Sequence, residues 1–200
     1  MKNILISILR DKTTSILDYR HATERLAEIL AIECANQLKQ EEFPIQTPLA
    51  GATGYKFKNR IILISIIRSG LTLLPAFLRI FESAKVGFIG LERDEHTAIS
   101  GKYYQKIPPI DPTDEVIVLE PMIATGGSGV AALQALHDLG AREEKINFIS
   151  VIAAPEGIQN IHQHFPLVKI MVAEIDEKLN ANKYIVPGLG DFGDRYFGTV

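Results

Sequence analysis

The chain has 200 residues, of which 46% are hydrophobic, and its 21 Lys and Arg residues against 24 Asp and Glu residues give a formal net charge of −3. This length fits one domain, or one domain with an arm, and the apolar content suffices for a buried core. Because the cationic residues are scattered along the chain, the composition argues against a protein whose main task is to bind nucleic acid.

The amino-terminal third predicts a long helix. The apolar run before Arg10 is too short for a signal peptide, and no stretch approaches the length of a membrane span, so we expect a cytosolic protein. Apolar residues at steps of three and four predict a helix from Ser15 to about Leu38. Thr13, Thr14 and Ser15 are candidate N-caps, and Asp18 is placed to contact Ser15. Cys34, the single cysteine, excludes an internal disulfide, and we expect it to be a small core residue. The stretch EEFPIQTPLAGATGY that follows is turn-rich.

From residue 61 onward, apolar and β-branched runs alternate with helical patterns. The predicted strands are 61–67, 85–91, 115–119, 146–154 and 168–175. The predicted helices are 70–80, 128–139 and 157 to about 164, with Gly140 just past the end of the second. This alternation predicts an α/β fold with a central, mostly parallel sheet flanked by helices. Ligands of such sheets bind beyond the carboxyl ends of the strands.

Two segments do not fit the alternation. Residues 96–114 are polar, proline-rich and long for a plain connection, and such loops are usually functional or mobile. Residues 184–199 read YIVPGLGDFGDRYFGT, and their repeated Gly and Asp indicate an ordered loop with a specific task.

Charged residues directly follow three of the predicted strands. Arg68 follows IILISII, Arg93 follows KVGFIGLE, and Glu120 follows EVIVL. Guanidinium groups at such positions suit bidentate binding of phosphate oxygens. A carboxylate at the end of a buried strand is costly unless a ligand there needs its negative charge.

A glycine-rich turn follows Glu120 and leads into a predicted helix. Gly127 to Ala132 satisfies G-x-G-x-x-A, but it begins well after the strand end, unlike a dinucleotide-binding turn, and the turn lacks the Lys of a Walker A loop. What remains is a backbone phosphate cradle from Ala124 to Ser128 at a helix N-terminus. The whole stretch therefore predicts a ligand that carries both hydroxyls and a phosphate.

At these residues the chain resembles a known family. VLEPMIATGGS is similar to the phosphoribosyl diphosphate motif of type I phosphoribosyltransferases, and specifically to the V-x-D-P-M-x-A-T-G-G-S of uracil phosphoribosyltransferases. The resemblance extends in the same order through LRDKTTSILDYR, TPLAGATGY, IIRSGL, GLERDE, KYYQKIP, AAPEGI and YIVPGLGDFGDRYFGT. It covers nearly the whole chain. Its last segment is the most diagnostic, because orotate and purine enzymes lack it.

The resemblance implies conversion of uracil and 5-phosphoribosyl 1-diphosphate to UMP and diphosphate, with roles for particular residues. Arg68 and Arg93 would hold the diphosphate, and together with Glu120 and Asp191 they would form the catalytic set. The ribose hydroxyls and 5-phosphate would be held by Glu120, Pro121, Met122, Ile123, Ala124, Thr125, Gly126, Gly127 and Ser128. Uracil would be read by Ile185, Gly190, Asp191 and Phe192, with Asp191 also near the donor. Backbone groups suit recognition of the base, because an N–H always donates and a C=O always accepts, whereas a side-chain amide can flip and exchange its donor and acceptor.

The resemblance also implies an organisation and partners. We expect one phosphoribosyltransferase domain over residues 1–200, with an N-terminal helical segment at 1–45, a mobile arm at 96–114 and a uracil-binding C-terminal loop at 184–200. The family uses Mg²⁺, which we expect to be held mainly through the diphosphate, and it forms homo-oligomers, so a dimer or tetramer is expected. Some members respond to GTP. Neither nucleic acid nor a membrane is expected as a partner.

The sequence departs from the family pattern at Glu120, where Asp is usual, and at Ser69 and Thr72, where Ala and Gly are common. A carboxylate displaced by about 1 Å can cost on the order of a hundredfold in rate. The leading alternative is therefore a catalytically weak relative that binds uracil, UMP or GTP as a regulator. An RNA-binding attenuator of the same fold and a dinucleotide-dependent oxidoreductase are more distant alternatives.

Overall fold

A computed structural model describes residues 1–93 and 100–199, and for residues 92, 93 and 100–102 it describes the backbone alone. The helices are α1 (Lys2–Arg10), α2 (Ile16–Gln37), α3 (Leu74–Ile80), α4 (Gly127–Asp138), α5 (Pro155–His164) and α6 (Phe192–Phe197). The strands are β1 (Gln40–Gln46), β2 (Gly51–Phe57), β3 (Ile61–Ile67), β4 (Lys85–Arg93), β5 (Ser100–Lys106), β6 (Glu115–Leu119), β7 (Met122–Ile123), β8 (Ile146–Ala153), β9 (Lys169–Ile175), β10 (Lys178–Leu179) and β11 (Ile185–Val186). Short 3₁₀ turns cover Ser69–Thr72 and Glu143–Lys145.

The main sheet is parallel except at one edge. Its strands follow the order β5-β4-β3-β6-β8-β9, and only β5 pairs antiparallel, with β4. Strand β7 continues the line of β6 along β8, since β6 pairs with the first half of β8 and β7 with its end. The predicted α/β fold with a mostly parallel sheet is confirmed.

Helices cover both faces of this sheet. Along β3 and β6, Leu63 and Ile117 pack on the side of α1, α2 and α3, whereas Ile64 and Val118 pack on the side of α4 and α5. Side chains alternate between faces along a strand, so a strand covered on both sides needs an unbroken apolar run. The runs IILISII and EVIVL meet that need except at Ser65 and Glu115, which are buried polar residues. Because β3 and β6 pair parallel, their carboxyl ends, and the polar residues that follow, lie at one edge of the sheet.

Several local predictions are confirmed. Helix α2 begins as predicted, with the Asp18 backbone N–H donating to Ser15 Oγ at 3.1 Å. Cys34 is fully buried in the core, and burial raises the pKa of its thiol to about 12. Strands β3 and β6 have the predicted limits, and Gly140 follows α4 with φ +93°.

Two regions differ from the sequence reading. The stretch described only as turn-rich forms a hairpin in which β1 and β2 pair antiparallel, closed where the Thr47 N–H donates to the Ala50 carbonyl at 2.9 Å. Its strands carry no buried alternation because most of their residues are exposed, so hydrophobic periodicity could not reveal them. The second difference is β5, since residues 100–106 of the predicted arm at 96–114 form a strand of the main sheet. Helix α1 lies within the N-terminal helical segment expected at 1–45. No helix in the described ranges combines the length and apolarity needed to cross a membrane.

Candidate active site

The carboxyl ends of β3 and β6 bring Arg68 and Glu120 to the same edge of the sheet. Ser65 pairs with Leu119, so each charged residue lies just beyond the paired part of its strand. The turn after Arg68 presses on the end of β6: a Cβ at Gly70 would lie 2.3 Å from the Leu119 carbonyl oxygen. Only glycine permits this approach. The expected juxtaposition of an arginine and a carboxylate at this edge is thus present.

Arg68 is held by the C-terminal segment. Its Nη2 donates to Asp194 Oδ1 at 2.8 Å, and the Thr199 hydroxyl donates to the same carboxylate at 2.6 Å. The hydrogen bonds from Thr199 and then from Arg68 lower the pKa of Asp194. Sequence reasoning missed this partner, although Asp194 lies within the GDFGDRYFGT stretch that it singled out. Because the Arg68 side chain is 57% exposed and that of Asp194 is 29% exposed, solvent screens the pair, and an anionic ligand could take the place of Asp194 on Arg68 at little cost.

Glu120 carries an unmatched carboxyl group. The part of the chain that the structure describes offers its side chain no hydrogen-bond or ion-pair partner, whereas its backbone N–H donates to the Ile149 carbonyl at 3.1 Å. Burial of the carboxyl raises its pKa from 4.5 to about 8. The Glu120 carboxyl is therefore largely protonated at neutral pH.

The raised pKa of Glu120 predicts a pH dependence of stability. Between about pH 4.5 and 8 the folded chain keeps a proton that the unfolded chain loses, so rising pH disfavours the folded state. Glu120 alone should lower the unfolding free energy by up to about 1.4 kcal/mol per pH unit in this window. Urea denaturation at pH 5, 6, 7 and 8 measures this slope. The control is Glu120→Gln, which is isosteric and cannot ionise, and parallel slopes for the two proteins would refute the assignment.

The glycine-rich turn lies at the same edge and opens α4. Gly126 is the N-cap, with φ +76°, and a Cβ there would lie 2.5 Å from the Gly157 carbonyl oxygen. The Thr125 carbonyl accepts a hydrogen bond from Asn160 Nδ2 at 2.8 Å, which ties the turn to α5. The first N–H groups of a helix have no intrahelical acceptor and form the positive end of its dipole. The turn thus has the form of an anion cradle, and phosphate binding at 124–128 stays a prediction.

Two apolar side chains of the C-terminal segment, Ile185 and Phe192, lie in the core. Ile185 is buried in β11, opposite Leu179 of β10. Phe192 is buried too, with its ring edge-on to Tyr19 at 5.4 Å between centroids, so the ring cannot stack on a ligand. Gly190 has φ +80°, and Asp191 caps α6 by accepting the Asp194 N–H at 2.8 Å.

This segment also lies next to the arginine turn. A Cβ at Gly193 would lie 3.8 Å from the Ser69 Cβ, and Arg68 bonds Asp194 as described. The predicted base loop and the predicted diphosphate turn are therefore neighbours, as a transfer between two substrates requires.

Arg93 lies further along the sheet edge. Ile67 of β3 pairs with Gly90, so the backbone of Arg93 lies beyond the end of β3, where it pairs with Ser100 of β5. The Arg93 side chain and residues 94–99 lie outside the described residues. Its role toward the diphosphate, and the mobile arm at 96–114, stay predictions.

Among the described residues, no group of three or more His, Cys, Asp or Glu side chains is placed to hold a metal ion. Mg²⁺ commonly binds one or two carboxylates together with substrate phosphates. Glu120 and Asp191 offer hard oxygen ligands of that kind, so the residues present fit a magnesium ion that arrives with a phosphorylated ligand.

Solved structures identify the class of the fold. A hypoxanthine-guanine phosphoribosyltransferase from Bacillus anthracis superposes with a TM-score of 0.52 at 11% identity, over 79% of each chain. The AQ2163 protein from Aquifex aeolicus superposes with a TM-score of 0.90 at 33% identity, over 98% of this chain and 93% of that one. The fold is that of a phosphoribosyltransferase.

Sequence relatives narrow the class to a family. The family profile described as "Uracil phosphoribosyltransferase" matches residues 2–199. A uracil phosphoribosyltransferase from Mycoplasma genitalium is 41% identical over 191 residues, 96% of this chain and 92% of that protein. One from Dictyoglomus turgidum is 43% identical over 192 residues, with the same shares covered. The chain belongs to the uracil phosphoribosyltransferase family.

Proposed function

We propose that the protein converts uracil and 5-phosphoribosyl 1-diphosphate to UMP and diphosphate, as an enzyme of pyrimidine salvage. Family membership over nearly the full length supports this activity. The observation that carries it is the meeting of Arg68, Glu120 and the turn at 124–128 at one sheet edge, next to the C-terminal segment. A cation, an acid and an anion cradle match the diphosphate, ribose and 5-phosphate of the donor.

For this reaction the protein has to position the two substrates and stabilise the charges that develop. The bond from ribose C1 to the diphosphate breaks with its electron pair leaving on the diphosphate, a bond from C1 to uracil N1 forms, and the N1 proton passes to the departing diphosphate. Arg68, with Arg93, stabilises the charge that grows on the leaving diphosphate. Glu120, which becomes ionised when the donor hydroxyls donate to it, holds the ribose and favours the cationic sugar. Amides of 124–128 hold the 5-phosphate, so no protein nucleophile is needed.

Base recognition is assigned to the backbone around Ile185, Gly190, Asp191 and Phe192. Uracil presents acceptor, donor and acceptor groups along one edge, and cytosine replaces part of this pattern with an amine. Backbone N–H and C=O groups in a rigid loop would leave buried partners unpaired against cytosine, which gives strong discrimination. The burial of Phe192 supports this assignment, because its ring is occupied in the core.

Mg²⁺ would be held mainly by the diphosphate, with Glu120 and Asp191 as the carboxylates available to it. When bound, the metal neutralises charge on the departing diphosphate. The segment at 96–114 is proposed to close over the site, and GTP remains a candidate effector. The protein is expected in the cytosol, as a single domain.

A homo-oligomer, either a dimer or a tetramer, is also part of the proposal. The β1–β2 hairpin exposes several large apolar side chains, namely Phe43, Ile45, Leu49 and Tyr55. Exposed apolar groups of this kind are typical of interaction surfaces, and a second copy of the chain is the proposed occupant.

A panel of uracil, cytosine, orotate and hypoxanthine with the ribosyl donor and Mg²⁺ tests the function. We expect diphosphate release and nucleotide formation with uracil, and at least about a hundredfold lower kcat/KM with the other bases, since unpaired polar groups discriminate strongly. Chromatography of the product identifies UMP. Absence of UMP at every Mg²⁺ concentration, with uracil or UMP still binding, would instead support the regulator.

A further inference from the structure

The peptide groups around Gly188, just before the proposed base loop, are fixed by an ion pair. The Gly188 N–H donates to Asp176 Oδ2 at 2.7 Å, and the Gly188 carbonyl accepts from Arg10 Nη1 at 2.9 Å. Arg10 and Asp176 also bind each other through two hydrogen bonds, at 2.9 and 2.5 Å. The carboxylate of Asp176 therefore binds the N–H of Gly188, and the guanidinium of Arg10 binds its carbonyl.

This arrangement opposes rotation of the backbone at Gly188. A carbonyl turned toward the carboxylate, or an N–H turned toward the guanidinium, would oppose like charges and leave buried groups unpaired. The Asp176 side chain is only 2% exposed. Burial acts to raise its pKa, but hydrogen bonds from Arg10 and the Gly188 N–H prevail and lower it, so the carboxylate is ionised and the pair is charged.

A second arginine holds the next residue of the loop to the end of α1. Arg195 Nη1 donates to the carbonyls of Leu9 and Leu189, the latter at 2.7 Å, and Nη2 donates to the Asp11 carbonyl at 2.6 Å. Its guanidinium also lies over the Tyr19 ring, 4.5 Å from the centroid. The carbonyls of 188 and 189 are thus both bound, immediately before Gly190.

A buried ion pair adds little net stability, because the cost of desolvating the two charges offsets much of their attraction. Apolar side chains of similar volume would stabilise the fold equally well. The advantage of the ion pair is a fixed direction for each hydrogen bond. Here the ion pair fixes the orientation of the N–H and C=O groups of Gly188, two residues before Gly190. Gly188 lies in the segment whose backbone donors and acceptors would recognise the base.

We propose that Arg10 and Asp176 are positioning residues for base recognition: they fix the backbone at Gly188 and thereby set which donors and acceptors the loop offers to uracil. This inference rests on the proposed location of the base. It assigns the N-terminal helix a part in substrate selection, through contacts that touch no substrate.

The test uses Arg10→Gln and Asp176→Asn, assayed for KM and kcat with uracil, for KM with the donor, and for the uracil-to-cytosine ratio of kcat/KM. We expect kcat/KM for uracil to fall about tenfold or more and selectivity to fall with it, while the donor KM changes less than about threefold. Arg10 is 24% exposed, so its variant is the milder one and carries the test if Asp176→Asn does not fold.

Arg60 and Asp114 form a matched control pair. Arg60 binds the nearly buried Asp114 through two hydrogen bonds, at 2.9 and 2.5 Å, and Asp114 accepts the Asp111 N–H at 2.7 Å. Arg60 directly precedes β3 and Asp114 directly precedes β6, so the pair lies at the opposite end of the sheet from the site. Arg60→Gln should lower thermal stability but leave the selectivity ratio unchanged. An equal loss of selectivity in this control would overturn the proposal, since the effect would then be general destabilisation.

Gly190→Ala separates failure of the inference from failure of the base site. A Cβ at Gly190 is strained at φ +80° and would lie 3.3 Å from Arg195 Cδ, so it disturbs the proposed base loop directly. A raised uracil KM in Gly190→Ala with an unchanged one in Arg10→Gln would overturn the positioning role and keep the site. Unchanged uracil kinetics in both variants would overturn both.

Discussion

Gly126→Ala is expected to lower kcat/KM for the ribosyl donor by about a hundredfold or more, with little change in uracil binding. The new Cβ would lie 2.5 Å from the Gly157 carbonyl oxygen, and φ +76° is itself unfavourable for alanine. The turn must therefore move away from α5, which displaces the amides assigned to the 5-phosphate. A shift near 1 Å in a positioning element can cost about a hundredfold in rate.

Gly140→Ala is the matched control, because it changes the other end of the same helix. Gly140 also has positive φ, at +93°, but a Cβ there would have nothing within 4 Å. It should cost on the order of 1 kcal/mol in stability and leave the kinetics unchanged. Steady-state kinetics and thermal melts on both variants check the prediction. If Gly126→Ala keeps its donor KM and kcat, the turn does not hold the phosphate.

Glu120→Gln is expected to lower kcat by about a hundredfold, since it removes the only ionisable group at the end of β6 while keeping the shape of the side chain. A neutral amide cannot favour a cationic sugar, and its NH₂ group meets the donor hydroxyls where a carboxylate would accept from both. Steady-state kinetics with both substrates varied measures the loss, which should fall mainly on kcat.

Glu120→Asp completes that series. It keeps the charge and restores the acid usual in the family pattern, so activity should equal or exceed that of the unchanged protein. The loss in Glu120→Gln together with the retention in Glu120→Asp would assign the effect to charge. A severe loss in the aspartate variant would show that the site is built around the longer side chain.

The buried strands and the long helix could be predicted because burial imposes a local pattern. IILISII and EVIVL are apolar apart from Ser65 and Glu115, since helices cover both faces of these strands, and their limits were predicted correctly. The positions of Arg68 and Glu120 followed, because parallel strands end at the same edge. Ser15 at the start of α2 was recognisable since its capping contact is with Asp18, three residues away.

The elements that were missed depend on partners distant in sequence or on exposed strands. The β1–β2 hairpin is mostly exposed and lacks the alternation by which a half-buried strand is recognised. The Arg68 contact with Asp194 joins residues 126 positions apart, and Arg10 meets Gly188 across 178 positions. No local pattern encodes such contacts, so neither of them had a signal in the single sequence.

The amino-acid sequence by itself therefore determined the class of fold, the edge of the sheet that carries the charged residues, and the family to which the chain belongs. The tertiary structure alone decided that Asp194 binds Arg68, that burial raises the pKa of Glu120, and that the end of α1 holds the loop before Gly190. The physical reason is range: periodicity and capping act within a few residues, whereas desolvation and ion pairing depend on which distant groups folding brings into contact.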